Sequence, residues 1–233
     1  MSIDRVLDLS NIRFGYTPTQ TLIDIDHFHI KRGESVFLRG PSGSGKSTLL
    51  GLIGGVLTPK SGQLHICGAN MTQASARQKD KARADHLGII FQQFNLLPYI
   101  SVLQNCILPC RFSARRREHA QKTSGSVIEA ARALIYGLGL TDNELSRPVG
   151  ELSVGQQQRV AVARALIGAP DVIIADEPTS ALDHDNRDRF IDLLNRSREE
   201  FGSALLFVSH DQTLASHFNR SVSLLDINAK AEA

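Results

Sequence analysis

Residues Gly40-Pro41-Ser42-Gly43-Ser44-Gly45-Lys46-Ser47-Thr48 combine glycines, hydroxyls and a lysine in the spacing G-x-x-x-x-G-K-[ST]. That combination suits phosphate. Glycines let backbone N–H groups turn inward around a polyphosphate, and a helix starting at the loop's end aims its positive terminus at the same charge. Lys46 supplies a point charge for the β- and γ-phosphates, and the Ser47 hydroxyl can ligate Mg²⁺. A second stretch, Val172-Ile173-Ile174-Ala175-Asp176-Glu177, ends an apolar run in two carboxylates. In open α/β sheets ligands sit beyond the carboxyl ends of strands. Asp176 is expected to hold Mg²⁺, directly or through water, and Glu177 to polarise the water that attacks a γ-phosphate. Alone, Asp-Glu before Pro178 also reads as a helix start; beside a phosphate loop the catalytic reading prevails. His210 follows another apolar run, Ala204 to Val208, where a neutral imidazole can hydrogen-bond a γ-phosphate or orient the water.

The elements needed to position these groups are legible nearby. Val36-Phe37-Leu38 reads as a buried strand leading into the loop, and Leu49-Leu50-Gly51-Leu52-Ile53 as the helix leaving it. Val6 to Leu9, Ile12 to Phe14 and Ile23 to Ile25 alternate as strands, and Ser61 to Ile66 marks a further strand pair. Leu87 to Phe91 is a short buried-type run. Between about Asn95 and Gly150, punctuated by Pro98 and Pro109, the pattern turns helical, with an Ala-rich face from Val127 to Leu138. Val172 to Ala175 and Ala204 to Val208 read as parallel strands covered on both faces. Asn228 to Ala233 is expected to fray.

The 233 residues suffice for a large core, and a net charge of +2 gives no strong field for nucleic acid or membrane. Arg111 and Arg115-Arg116-Arg117 are locally basic and read as a solvated loop, with a lipid-headgroup or nucleic-acid patch as the alternative. Met1 to Arg5 lacks the basic-then-apolar layout of a signal peptide, and no apolar run approaches the ~18 residues of a membrane span. The expectation is a soluble cytoplasmic protein that reaches a membrane only through a partner. Three cysteines, Cys67, Cys106 and Cys110, form neither a disulfide framework nor paired CxxC; the last two, one helical turn apart, read as packed thiols, with a weak metal site as the alternative.

Leu152-Ser153-Val154-Gly155-Gln156-Gln157-Gln158-Arg159 separates phosphate-loop families. It resembles the signature sequence of ATP-binding-cassette (ABC) ATPases, usually LSGGQ. Tyr16 resembles their adenine-stacking aromatic, Gln92 in Phe91-Gln92-Gln93 the Q-loop glutamine, Ser180-Ala181-Leu182-Asp183 the D-loop and His210 the switch histidine. The resemblance runs from about residue 5 to about residue 225. It implies an α/β phosphate-loop ABC ATPase core with an N-terminal antiparallel β subdomain and an inserted α-helical subdomain. The division would be core plus β subdomain over about 1–92 and 154–227, and helices over about 93–153. It also implies ATP and Mg²⁺ as cofactors, with Glu177, His210, Gln92 and Lys46 catalytic and Ser47, Gln92 and Asp176 around the metal. In the head-to-tail dimer of this family, Ser153, Gly155 and Gln156 would close over ATP held by residues 40–48 and Tyr16 of the other copy, with Asp183 close by.

Val154 departs from the usual first glycine of the signature pair; valine takes positive φ poorly and adds bulk. Gly155 is intact, so hydrolysis is expected to survive, a slow half-site being the alternative. A single cassette, without a long coiled coil between its nucleotide motifs, matches a stand-alone subunit docking on a separate membrane protein. The stretches Gly88 to Pro98, Gln156 to Leu166 and Ile174 to Thr179 resemble the lipoprotein-release and macrolide-efflux (LolD and MacB) branch. That branch implies a permease docked near Gln92–Ile100, on the cytoplasmic side of the inner membrane. Phe94, Leu96, Leu97, Tyr99 and Ile100 are the candidate contact, with core of the helical insertion as the alternative that some of them must fill. Energy coupling for export or extraction is the first expectation; an ATP-gated regulatory scaffold of the cell-division type is the second.

Overall fold

The computed structural model describes residues 4–180, 182 and 184–230. The strands are β1 (Arg5–Phe14), β2 (Ile23–Lys31), β3 (Ser35–Arg39), β4 (Ser61–Ile66), β5 (Ala69–Asn70), β6 (Leu87–Ile90), β7 (Val172–Asp176), β8 (Ala204–Ser209) and β9 (Arg220–Ser223). The helices are α1 (Lys46–Ile53), α2 (Ala76–His86), α3 (Val102–Phe112), α4 (Ala114–Ser124), α5 (Val127–Gly137), α6 (Asp142–Leu145), α7 (Val154–Leu166), α8 (His184–Glu200) and α9 (Leu224–Ile227). They form two compact units, Met1–His86 with Ala204–Ala233, and Leu87–Ser203.

In the first unit, β2-β1-β4-β5 form an antiparallel sheet. Leu7, Leu9, Ile12 and Phe14 of β1 are buried, while Asp8 and Ser10 are half-exposed and Arg13 exposed, the alternation of a sheet wet on one side. The sequence pattern predicts separate strands at 6–9 and 12–14. The structure joins them, because Asn11 takes a left-handed φ of 51° and the pairing with β4 shifts register between Ser10 and Arg13. Asparagine tolerates that conformation, so the strand bulges and continues. A parallel set, β8-β3-β9, has β3 at its centre with Val36, Phe37 and Leu38 fully buried. Phe37, Phe207 and Phe218 stack across it with ring centroids 5.0–6.3 Å apart.

The C-terminal segment does not fray at Asn228. Asn228 is buried; its Oδ1 accepts the Asp24 N–H at 2.7 Å, and its Nδ2 donates to Leu22 O at 3.0 Å. Two backbone groups of the β2 edge thus gain partners that a polar tail composition does not announce.

In the second unit, β6 and β7 pair in parallel, and α3, α4 and α5 pack with one another and around α7. Ser101, Ser113, Ser126 and Ser153 cap α3, α4, α5 and α7, each side chain accepting the N–H three residues on. Pro109 does not end α3 but sits in its last turn, where little of the helix remains to be disrupted.

The arginine run is not a loop and is not wholly solvated, although Arg111, Arg115 and Arg117 are exposed. It is the first turn of α4, and Arg116 is only 2% exposed. Its guanidinium donates to Ile167 O and Ala165 O at 2.7 Å and to Leu87 O at 3.3 Å. The Ala165 and Ile167 carbonyls lie at the C-terminal end of α7, where a cation satisfies orphan acceptors and the negative end of the helix dipole. Arg115 pairs with buried Asp171 at 2.9 Å. Cys106 and Cys110 are buried, and burial pushes both thiols up from their ordinary range, so they stay protonated and inert. Among the described residues no helix is long and apolar enough to cross a membrane.

Candidate active site

In the first unit, β3 delivers the chain into the phosphate loop. Gly45 caps α1 at φ 100°, which a side chain would resist. A Cβ on Gly40 would sit 2.6 Å from Ser44 Oγ, so the loop closes only around glycine. Lys46 Nζ folds back to donate to Gly40 O at 2.7 Å and Pro41 O at 2.9 Å, bracing the loop from inside. Pro41, Ser42, Gly43 and Ser47 are exposed, while Thr48 is buried. The Ser44 hydroxyl is buried without a hydrogen-bond partner. The first turn of α1 holds no acidic residue, and no side chain caps it. A buried unpaired hydroxyl and an uncapped helix N-terminus are donors whose acceptor the chain does not provide, as an anion site requires.

Tyr16 stands beside this loop. Its hydroxyl lies 3.3 Å from Thr48 Oγ1, and its ring meets Phe14 edge-on at 5.1 Å between centroids. The ring is otherwise 66% exposed, so an aromatic face stays open. Lys60 Nζ holds the following loop by donating to the Thr17 and Gln20 carbonyls. Arg39 of β3 is the register partner of Ser209 in β8, so the two strands end side by side. One runs into Gly40 and the other into His210, which is exposed.

In the second unit, Ile90 of β6 is the register partner of Ala175 in β7. The strand ends therefore bring Gln92 and the Asp176-Glu177 pair into one neighbourhood. Gln92 is exposed on the turn after β6 and Asp176 is half-buried. Glu177 is held at φ 45°, a conformation that costs a non-glycine residue on the order of 1 kcal/mol and concentrates at functional positions.

The signature residues open α7. Ser153 is the N-cap in a capping box, accepting Gln156 N–H at 3.3 Å and donating its own N–H to Gln156 Oε1 at 3.0 Å. Val154 is the first helical residue, absent from the positive-φ residues, and 53% exposed; the steric objection to valine therefore does not apply. Gly155 is exposed, and a Cβ there would meet nothing within 4 Å. The fold itself does not require that glycine. Asp183 lies outside the described residues.

The apolar docking patch needs correcting. Phe94 is buried at 8% exposure, so it is one of the core residues of this set, whereas Tyr99 is 76% exposed. Leu96, Leu97 and Ile100 are half-buried, their loop pinned by buried Asn105, which bonds Leu97 N–H, Leu97 O and Ile100 O.

Two residues of α7 went unnoticed in the motifs. Arg164 donates to the Phe94 and Asn95 carbonyls, and buried Gln158 donates to Pro178 O at 3.4 Å. The available signal was a polar residue interrupting an apolar run, as Arg164 does between Ala163 and Ala165.

A glycine loop between a buried parallel strand and an uncapped helix, with acids ending another parallel strand, defines a phosphate-loop nucleotide-binding protein. Comparison with known proteins narrows this. The profile of the family described as ABC transporter matches residues 23–180. The lipoprotein-releasing system ATP-binding protein LolD of Francisella tularensis is 35% identical over 96% of this chain and 95% of its own length. The ABC transporter ATP-binding protein YbbA of Escherichia coli is 40% identical over 88% of this chain and 86% of its own. The dimeric post-hydrolysis structure of the ATP-binding cassette MJ0796, bound to ADP and Pi, is 32% identical, with a TM-score of 0.78 and 97% of each chain covered. The chain belongs to the ABC transporter family, as an ATP-binding ATPase subunit of the LolD and MacB type.

Proposed function

We propose that this chain hydrolyses ATP to drive a separate membrane permease at the cytoplasmic face of the inner membrane. The observation that carries the reading is the buried, unpartnered Ser44 hydroxyl beside the uncapped N-terminus of α1. Lys46 and the N–H groups of residues 40–48 hold the polyphosphate, and Tyr16 stacks on adenine. Mg²⁺, when bound, offsets phosphate charge; Ser47, Asp176 and Gln92 offer the oxygen donors that such a hard cation takes. Glu177 accepts a proton from water as the water oxygen attacks the γ-phosphorus. The bond to the β–γ bridging oxygen breaks, giving ADP and phosphate. His210 hydrogen-bonds the γ-phosphate and orients the water.

Two copies close head to tail. Ser153, Gly155 and Gln156 of one, with Asp183 nearby, cover nucleotide held by the other. The exposed, unobstructed Gly155 supports this, because its missing side chain leaves room for something outside the chain. In this reading residues 93–153 are the helical arm, and 1–92 with 154–227 the core and β subdomain. The permease docks at the exposed apolar residues of this arm, where Tyr99 and Phe112 are 76% and 74% exposed and Leu103, Ile107 and Leu108 are half-exposed.

The test is ATP turnover and ATP-dependent dimerisation of the purified chain beside Glu177→Gln. The variant is expected to dimerise on ATP and to lose turnover about 100-fold or more. Turnover equal to the native chain, or no ATP-dependent dimer, refutes the mechanism. Tyr99→Ser with Phe112→Ser is expected to leave isolated turnover intact and to abolish recovery of the protein with cell membranes; unchanged recovery refutes the docking face.

A further inference from the structure

The turn that carries Gln92 holds a costly backbone. Phe94 and Asn95 are consecutive non-glycine residues at φ 58° and 47°. Each costs on the order of 1 kcal/mol, so something must hold the turn in place. Local bonds contribute: Phe94 N–H to Phe91 O at 2.9 Å closes a turn over Gln92 and Gln93, and Asn95 N–H reaches Gln93 O at 2.6 Å. The remaining restraint comes from α7. Arg164 Nη1 donates to Asn95 O at 2.7 Å and Nη2 to Phe94 O at 2.5 Å. A planar guanidinium meets adjacent carbonyls with two N–H groups held in a fixed fork, so it orients both peptide planes more firmly than a lysine's ammonium on its flexible stem. Burial lowers Arg164 from the ordinary arginine range, yet an arginine remains cationic at neutral pH. Among the described residues it forms no ion pair, so its charge is committed to these two backbone oxygens.

The same helix touches two other parts of the machinery. It begins directly after Ser153, and its Gln158 holds the carbonyl of Pro178, the residue after Glu177. A rigid helix is thereby bonded to the glutamine turn, to the strand end bearing the carboxylates, and to the signature.

We propose that Arg164 is a positioning residue for ATP hydrolysis. It locks the left-handed Phe94-Asn95 pair, and so fixes Gln92 to the helix that starts at the signature. The proposal rests on the role given to Gln92 above. Arg164 bonds the two carbonyls of the turn that carries Gln92, so its effect on hydrolysis is assigned to Gln92.

A double-mutant cycle on the full chain tests this, with ATP turnover as the readout. Arg164→Lys keeps charge and stem but loses the fork. It is expected to lower kcat about tenfold with KM for ATP within about twofold, since nucleotide binding is carried by residues 40–48 and Tyr16. Gln92→Ala lowers kcat by at least as much. The double variant is expected to match Gln92→Ala alone. Amide exchange over residues 91–97 is expected to quicken in Arg164→Lys while α7 and α3 keep native protection, which separates a loosened turn from a misfolded unit. Native kcat in Arg164→Lys, or single effects that multiply in the double variant, overturns the proposal. Native kcat in Gln92→Ala overturns the role of Gln92 and the proposal with it. A native chain without turnover strikes the ATPase mechanism itself, a result distinct from either.

Discussion

Removing the aromatic ring at Tyr16 separates base recognition from phosphate recognition. Tyr16→Ala deletes a ring that is 66% exposed and meets its own fold through an edge contact with Phe14 and one 3.3 Å approach to Thr48. Such an edge contact contributes about 1 kcal/mol and the hydroxyl contact less, so the fold should survive with a modest fall in melting temperature. Stacking of a base on an aromatic ring contributes about 1–3 kcal/mol. Taking about 1.4 kcal/mol, the dissociation constant for ATP rises about tenfold. Inorganic triphosphate offers the same charge to Lys46, Ser44 and the α1 terminus but has no base to stack. Calorimetric titration of both ligands into the native chain, Tyr16→Ala and Tyr16→Phe is the assay. The alanine variant is expected to lose about tenfold for ATP and less than twofold for triphosphate; the phenylalanine variant keeps both. Equal losses for both ligands would mean that Tyr16 acts by shaping the loop, and the stacking argument would fail. Unchanged ATP affinity would refute it as well.

Asn228→Ala strands the Asp24 N–H and Leu22 carbonyl, so a loss of about 2 kcal/mol is expected from the urea midpoint. ATP affinity should fall too, because the neighbouring Ile23 Cδ1 lies only 2.9 Å from where a Cβ of Gly45 would sit. Glu34 is held below the usual carboxylate range: burial pushes the other way, but bonds from Arg220 at 2.7 Å and from the Lys31 N–H at 2.8 Å outweigh it. A lowered folded pKa adds stability above the unfolded carboxyl's pKa, lost as pH falls through the folded one. Glu34→Gln should therefore cost about 0.5–1 kcal/mol at pH 7, discounted for partial exposure, and the cost should shrink toward zero as pH falls through the lowered folded pKa. A pH-independent cost would refute the ion-pair account. Val154→Gly should leave turnover within about twofold and lower stability by about 0.5 kcal/mol, as glycine is the poorer helix residue.

Which features were legible in the sequence follows from where their partners lie. The phosphate loop, the carboxylates after β7 and the capping serines each act on neighbours in the chain, so their spacing records them. The buried strands β3, β7 and β8 are visible as apolar runs because both faces are covered. α2 escaped notice because ARQKDKARADH has no apolar stripe; Ser75 and Gln78 start it by reciprocal capping instead. The sequence could not say which of Phe94 and Tyr99 is core, because an apolar residue in a polar turn looks the same whether it faces a partner or the protein's interior.

The arginines show the deeper limit. A surface cation paired with an acid leaves two complementary marks in a sequence. Arg116 and Arg164 are bound chiefly by backbone carbonyls, and every residue has one. Nothing at Ala165, Ile167, Phe94 or Asn95 advertises that a guanidinium will arrive. Such bonds also differ in their sensitivity to substitution. Changing Ala165 or Asn95 leaves the acceptor in place, while changing the arginine leaves two or three carbonyls unpaired inside the unit, with a cost of about 1–3 kcal/mol each where water cannot replace the donor. The glutamine turn and the C-terminal end of α7 therefore depend on single residues whose importance appears only once the chain is folded.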